Sequence, residues 1–312
     1  MEKDSGFKIT LKMFKKLLRS IIYGDVLQKL MNKNRAYEKN AGETEKLLEE
    51  WIDRSKNILA TNSKRKFKKG IYDMVNDFEK IELDLSVKKP PVGIVGEILI
   101  KYHPFGNNYI ADFLNREGAE VVLPDLMGFI KYASANKIVA GNLLKQGNIS
   151  SIINKIVIKY ISLIEKDVKK AFAKSKKKYL PPSDIWHLER QAKKVLSSGN
   201  QTGEGWFLTA EMIEYIEHGI PNIACVQPFA CLPNHIVGKG VIKTIRNLYP
   251  NSNIAPIDYD PGASNANQIN RIKLLMTVAK DNLVDEDKTV MRILIEEDYD
   301  KDKKLLEKKI PK

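Results

Sequence analysis

The chain has 312 residues, 43% of them apolar and 29% charged, with a formal net charge of +13. At roughly 100–200 residues per domain, that length suits about two domains with real cores. No run of about 18 apolar residues, no short apolar leader and only two cysteines are present, which points away from a membrane span, a signal peptide and a disulfide scaffold, and toward a cytoplasmic globular protein.

In chain order, Ile9, Leu11, Phe14, Leu17, Leu18, Ile21, Ile22, Val26, Leu27 and Leu30 recur at helical spacing and predict a helix over 7–33. Thr44 opens a second helix through Leu47, Leu48, Trp51, Ile52 and Ile58, and a third is expected over 71–81. Residues 1–89 thus read as a helical region, ended at Lys88-Lys89-Pro90-Pro91, because two prolines cannot continue a helix. The period then changes. Val92-Gly93-Ile94-Val95-Gly96 has the β-branched, apolar character of a strand buried on both faces. A helix over 107–117, closed by Gly118, and the strand Glu120-Val121-Val122-Leu123-Pro124 follow. Residues 126–200 look like a helical insertion broken at Pro181-Pro182. Next come a helix over 209–217, the strand 222–228, a helix over 234–248, the strand 253–258 and a helix over 264–279. The alternation predicts an α/β, Rossmann-like parallel sheet flanked by helices over 90–283, followed by a charged tail over 284–312.

The charge excess lies in two helical stretches: residues 1–91 carry a net +7 and residues 126–200 a net +11. The runs Lys64-Arg65-Lys66-Phe67-Lys68-Lys69 and Lys174-Ser175-Lys176-Lys177-Lys178 read first as solvated faces, and second as contacts for an acidic partner or phosphorylated ligand. They offer little of the interleaved aromatics of a nucleic-acid platform, so nucleic-acid binding is the least supported reading.

Ligands of open parallel sheets bind beyond the carboxyl ends of the strands. Here those ends lead into Glu97 through Asn108, Pro124-Asp125, Gln227 through His235, and Asp258-Tyr259-Asp260-Pro261-Gly262-Ala263-Ser264. Glu97, His103 and His235 are the candidate catalytic residues, and Asn107, Asn108, Gln227, Asn234, Asp258 and Asp260 the candidate pocket residues. Cys225, between Ala224 and Val226 in a strand, reads as a small hydrophobe. Cys231 precedes a predicted helix, a place that favours a thiolate acting as nucleophile or metal ligand, with His235 four residues on. The spacing of the two cysteines matches no zinc pattern, and a cubane iron–sulfur cluster takes about four thiolates, so any cluster here needs ligands from elsewhere. Gly203-Glu204-Gly205-Trp206 allows a close backbone approach to a ligand but is not a nucleotide-binding fingerprint. His187 and His218 read as structural.

Several of these segments resemble one family. Val92 through Glu97, His103-Pro104-Phe105-Gly106-Asn107-Asn108, Gly203-Glu204-Gly205-Trp206, Val226-Gln227-Pro228-Phe229 with Cys231-Leu232-Pro233-Asn234-His235, and Asp258-Tyr259-Asp260-Pro261-Gly262 are similar to the C-terminal part of the large activase-related proteins of the 2-hydroxyacyl-CoA dehydratase superfamily. Arg35-Ala36-Tyr37-Glu38 resembles a family Arg-Pro-Tyr-Glu motif with its proline changed. The resemblance covers most of residues 30–280, and Cys-Leu-Pro-Asn-His is its most specific part. It implies a component of an ATP-driven acyl-CoA dehydratase or reductase system, with a [4Fe–4S] or double-cubane cluster, Cys231 as a cluster ligand and Cys225 as a second candidate. The implied partners are a companion dehydratase-like subunit and an ATP-dependent activase, with an acyl-CoA as substrate. The chain departs from the family in lacking ATPase phosphate-binding motifs and the companion half with its Cys-Pro motif. The resemblance therefore implies a split or truncated subunit, without an ATP site, whose cluster is shared with a partner. The alternative is a cluster-free interaction subunit.

Overall fold

The computed structural model describes residues 10–144, 149–260, 262 and 265–285. In chain order the elements are α1 (Leu11–Tyr37), α2 (Glu43–Ala60), α3 (Lys64–Glu79), β1 (Pro91–Gly96), α4 (Ile98–Tyr102), α5 (Ile110–Arg116), β2 (Glu120–Val122), α6 (Leu126–Leu143), α7 (Ile149–Lys174), α8 (Ile185–Ala192), α9 (Gly205–Glu217), β3 (Asn222–Pro228), α10 (Leu232–Asn234), a π-helical turn (His235–Lys239), α11 (Ile242–Leu248), β4 (Asn253–Tyr259) and α12 (Ala266–Asp285). They sort into two compact units, Met1–Ser86 with Asp125–Ile185, and Val87–Pro124 with Trp186–Lys312. The segment expected as an insertion at 126–200 therefore divides. Its residues up to 185 join the N-terminal helices, and the rest join the sheet. The tail from residue 286, with Pro261, Ala263 and Ser264, lies outside the described residues. No helix among the described residues is long and apolar enough to cross a membrane.

Among the described residues, the regular elements of the first unit are all helices. Leu18, Ile22, Val26 and Leu30 recur every fourth residue along α1 and bury one stripe against Trp51, Phe67, Ile71, Met74 and Phe78, with Ile161, Val168 and Phe172 of α7 completing the core. The third helix starts earlier than its apolar pattern predicts, because Ser63 caps it and accepts a hydrogen bond from the Lys66 amide at 3.3 Å. The Lys64–Lys69 run is therefore its first turns, where Lys68 pairs with Asp167 at 2.9 Å and Lys69 with Asp73 at 2.6 Å. In the second run, Lys177 donates to Asn34 Oδ1 and to the Phe78 and Ile81 carbonyls at 2.6–2.7 Å. Part of each basic run is thus committed to the fold. Glu38 of the Arg-Ala-Tyr-Glu segment accepts from the Gly42 and Thr44 amides at 2.8 Å and ties the turn between α1 and α2. Two buried charge groups complete the unit. Lys131 pairs with Glu165 at 2.8 Å, while Asp25 accepts from the Leu126 and Met127 amides beside the Lys29–Asp125 pair.

The second unit is an α/β, Rossmann-like fold. Its four strands are all parallel, in the order β2-β1-β3-β4. Val92, Ile94, Val121, Ala224, Val226 and Ile257 pack on α5 and α12 through Ile110, Leu114, Ile272, Leu275 and Met276. Alternate residues turn to the other face, where Gly93 leaves room for Tyr215 of α9: a Cβ there would lie 2.4 Å from its ring. Both faces are covered, which is why the strands read as continuous apolar runs. The helix expected over 107–117 starts at Ile110, because Asn107 turns the chain first, donating to the Ile100 carbonyl at 2.7 Å and accepting from the Ile110 amide at 3.2 Å. The helix expected over 234–248 is interrupted at the π turn, where the Gly240 amide reaches the His235 carbonyl at 2.8 Å.

Candidate functional site

In the order β2-β1-β3-β4, the chain leaves β1 toward one edge of the sheet and β3 toward the other. The crevice between the carboxyl ends of β1 and β3 is thus a topological switch point, the usual ligand position in such sheets. Gly96 and Val226 are paired across it, and the Glu97 amide donates to the Val226 carbonyl at 3.0 Å. Gly96 has φ +139°, and a Cβ on it would sit 1.8 Å from the Val226 oxygen. Only glycine lets the strands close there.

Three loops meet around this crevice. After β1, Glu97 caps α4 by accepting from the Ile100 amide at 2.8 Å. Glu204, buried in the Gly-Glu-Gly-Trp loop, accepts from the Ile98 amide at 3.1 Å. Gly203, at φ +62°, packs so closely on Pro233 that a Cβ would come within 3.2 Å of it, and Gly205 is the first residue of α9. Gly203 thus serves loop-on-loop packing. Beneath the loops, Lys101 of α4 and Glu211 of α9 form a buried pair, with both carboxylate oxygens 2.9–3.0 Å from the ammonium. Its two members are separated by more than a hundred residues in sequence and carry no local motif.

After β3, Gln227 is wholly buried and its amide nitrogen has two acceptors, Asp258 Oδ1 at 2.8 Å and His235 Nδ1 at 3.0 Å. A carboxylate can only accept, so Asp258 fixes which end of the Gln227 amide faces it. Lys239 holds Asp258 from the other side at 2.5 Å. Burial alone would raise the Asp258 pKa, but the hydrogen bonds from Lys239 and Gln227 outweigh it and keep this carboxyl below its usual range. With Nδ1 accepting, neutral His235 carries its proton on Nε2. Lys239–Asp258–Gln227–His235 is therefore a chain that orients one imidazole.

Cys231 is partly exposed and caps the three-residue α10. So short a helix sums few peptide dipoles, and the expected helix-terminus effect gives way to a specific contact, the Asn234 amide donating to Sγ at 3.3 Å. Asn234 is fully buried, and its Oδ1, like Gln227 Oε1, has no partner among the described residues. Cys225 is different. It is buried at the centre of β3, so close to Gly238 that a Cβ there would lie 3.2 Å from its sulfur, and burial pushes its thiol up to about 12. It does not fit a cluster ligand.

The remaining candidates are held by local bonds. His103 is exposed and its Nδ1 accepts from the Gly106 amide at 3.0 Å, Asn107 is a turn residue, and Asp260 accepts from the Gly262 amide at 2.9 Å. Asn108 donates to Gln268 at 2.7 Å, and Gln268 donates to the Asp258 carbonyl at 3.1 Å, which links the loop after β1 to the end of β4. His187 pairs with Glu214 at 2.9 Å, and His218 meets the Glu214 carbonyl at the end of α9. Sequence reasoning missed Lys101, Glu211, Lys239 and Gln268. Only Lys239, one turn beyond His235, carried a local hint.

The switch-point rim thus offers one accessible thiol, one oriented imidazole and two amides with an unfilled acceptor. A four-thiolate cluster fits it only as a shared one, with Cys231 as this chain's ligand. Leu99, Phe105, Phe229, Leu232 and Ile236 of the same loops are each more than half exposed, an apolar lip around the crevice mouth. Comparison with protein-family models, with curated proteins and with solved structures found no match.

Proposed function

We propose that the chain is an iron–sulfur component of an ATP-driven 2-hydroxyacyl-CoA dehydratase- or reductase-type system, contributing Cys231 to a cluster whose other ligands come from a companion subunit. The observation that carries this reading is the position of the accessible thiol. It stands at the switch point, with an amide donor on its sulfur and uncovered apolar side chains in the loops around it. An apolar lip of this kind is what a second chain would cover, excluding water from a shared site. When bound, such a cluster supplies single electrons at low potential and Lewis acidity toward a thioester. This chain's own groups hold and orient: Asn234 donates to the ligand sulfur, and His235 is held through Nδ1 by Gln227.

The test is iron and acid-labile sulfide per chain after anaerobic purification, alone and with a co-expressed companion, with the absorption spectrum as second readout. Iron that appears only with the companion and is lost in Cys231→Ala supports the reading. Iron absent from both preparations overturns it and favours a cluster-free interaction subunit.

A further inference from the structure

The outer half of the α6–α7 hairpin is apolar on the outside. Leu143, Leu144, Ile149, Ile152, Ile153 and Ile156 are each more than half exposed, and Leu163 continues the same stripe. At 3.6 residues per turn, Ile149 through Leu163 fall within an arc of roughly 100° and run about 21 Å along α7. That arc lies opposite the face on which Ile158 is buried and Ile161, Val168 and Phe172 join the core of the unit. The helix thus has two apolar faces, and the described residues of its own unit cover only one. The uncovered one amounts to on the order of 500 Å² of apolar surface, near the upper end of what isolated chains leave bare.

Charge decides what fits it. Residues 126–164 contain five lysines and not one aspartate or glutamate. Lys131 is buried with Glu165, while Lys137, Lys155 and Lys159 are exposed. Lys155 and Lys159 lie together along one flank of the stripe. A second copy would bring lysine against lysine with no carboxylate to answer. A lipid surface is poorly served, because stable electrostatic anchoring takes clusters of about four to eight basic residues. A narrow stripe at three- and four-residue spacing is the shape that receives another helix.

We propose that this stripe docks an amphipathic helix of another protein, one with an apolar face bordered by carboxylates. The proposal is independent of the ligand at the sheet edge. Its test uses two synthetic helical peptides with the same leucine stripe, one flanked by glutamates and one by lysines, titrated against the full chain by calorimetry. Binding is expected for the glutamate peptide only. It should weaken at least tenfold in Ile152→Ser/Ile156→Ser, whose exposed positions leave the circular dichroism unchanged, and should weaken again in Lys155→Gln/Lys159→Gln or at high salt. Equal binding of both peptides, or glutamate-peptide binding that neither double variant reduces, overturns the proposal. So does concentration-dependent dimerisation, or binding to phosphatidylglycerol vesicles, that is lost in Ile152→Ser/Ile156→Ser.

Discussion

Gly96→Ala is the sharpest test of the switch-point geometry. At φ +139° an alanine is strained, at a cost of about 1–3 kcal/mol. Its Cβ would also lie 1.8 Å from the Val226 oxygen, the oxygen that accepts the Glu97 amide at 3.0 Å. Relief requires β1 and β3 to part by more than an ångström at this end, which breaks that bond and leaves buried groups unpaired, a further ~1–3 kcal/mol. The sum of about 2–6 kcal/mol is a large share of the ~5–15 kcal/mol that holds a typical domain. Cys225 supplies the assay, because it is buried at the centre of β3 and becomes reactive when the sheet opens. In a Cys231→Ser background, pulsed labelling of Cys225 against urea should show opening favoured at least about thirtyfold by Gly96→Ala. Gly118→Ala is the control. Its φ is +91° but nothing lies within 4 Å of its Cβ, so only strain of ~1–2 kcal/mol applies. Equal effects of the two substitutions would refute the close approach of β1 and β3.

The Lys101–Glu211 pair predicts that Lys101→Met alone costs about 3–5 kcal/mol, because it strands a buried carboxylate, while Lys101→Met/Glu211→Leu recovers much of it; urea midpoints check this. Asp25 predicts a pH effect on the helical unit. Burial first, and Asp125 second, raise its pKa to about 8, so the stability it contributes is full below about pH 4 and falls away as pH rises through about 8. Glu165, also raised by burial, acts in the same direction. The urea midpoint followed by Trp51 fluorescence should therefore drop between pH 5 and 8, and Asp25→Asn should reduce that slope; an unchanged slope refutes the assignment. Iodoacetamide should modify one thiol in the native chain and two in urea, the first being lost in Cys231→Ser. Two fast thiols in the native chain would contradict the burial of Cys225.

The strands were legible because a sheet covered on both faces demands short, continuous apolar runs, and Val92–Gly96 and Asn222–Pro228 are such runs with turn residues on either side. Their carboxyl-end loops were legible for the same reason. What was not legible depends on distance in the chain. Lys101 reads as a surface lysine until Glu211, 110 residues on, neutralises it in the interior. Asn107 and Glu97 look like ligand groups, since a turn amide and a capping carboxylate use the same residue types as a binding site. The break at His235–Lys239 was hidden because its side chains suit a helix. The widened turn is visible only in the Gly240 amide reaching back five residues.

The charges around Cys231 bear on what could join it there. The carboxylates at the carboxyl ends of β1 and β4 and in the Gly-Glu-Gly-Trp loop are already engaged: Asp258 by Lys239 and Gln227, Asp260 by the Gly262 amide, Glu97 by the Ile100 amide, Glu204 by the Ile98 amide. An anionic, sulfur-rich group beside Cys231 would therefore meet N–H donors, such as Asn234 Nδ2, more than bare negative charge. Breaking that arrangement should be felt at the thiol. In Lys239→Met, Asp258 loses its ammonium partner and retains the Gln227 amide, so the imidazole orientation survives while negative charge is left partly uncompensated. In both alkylations the thiolate displaces iodide, but negative charge near the sulfur repels the anionic iodoacetate and not the neutral iodoacetamide, so the rate ratio of the two at Cys231 measures the local potential. Lys239→Met should lower the iodoacetate rate relative to iodoacetamide by about twofold to tenfold, and Lys239→Met/Asp258→Asn should restore it. A ratio indifferent to both substitutions would mean that the Lys239–Asp258 pair does not shape the field at the sulfur.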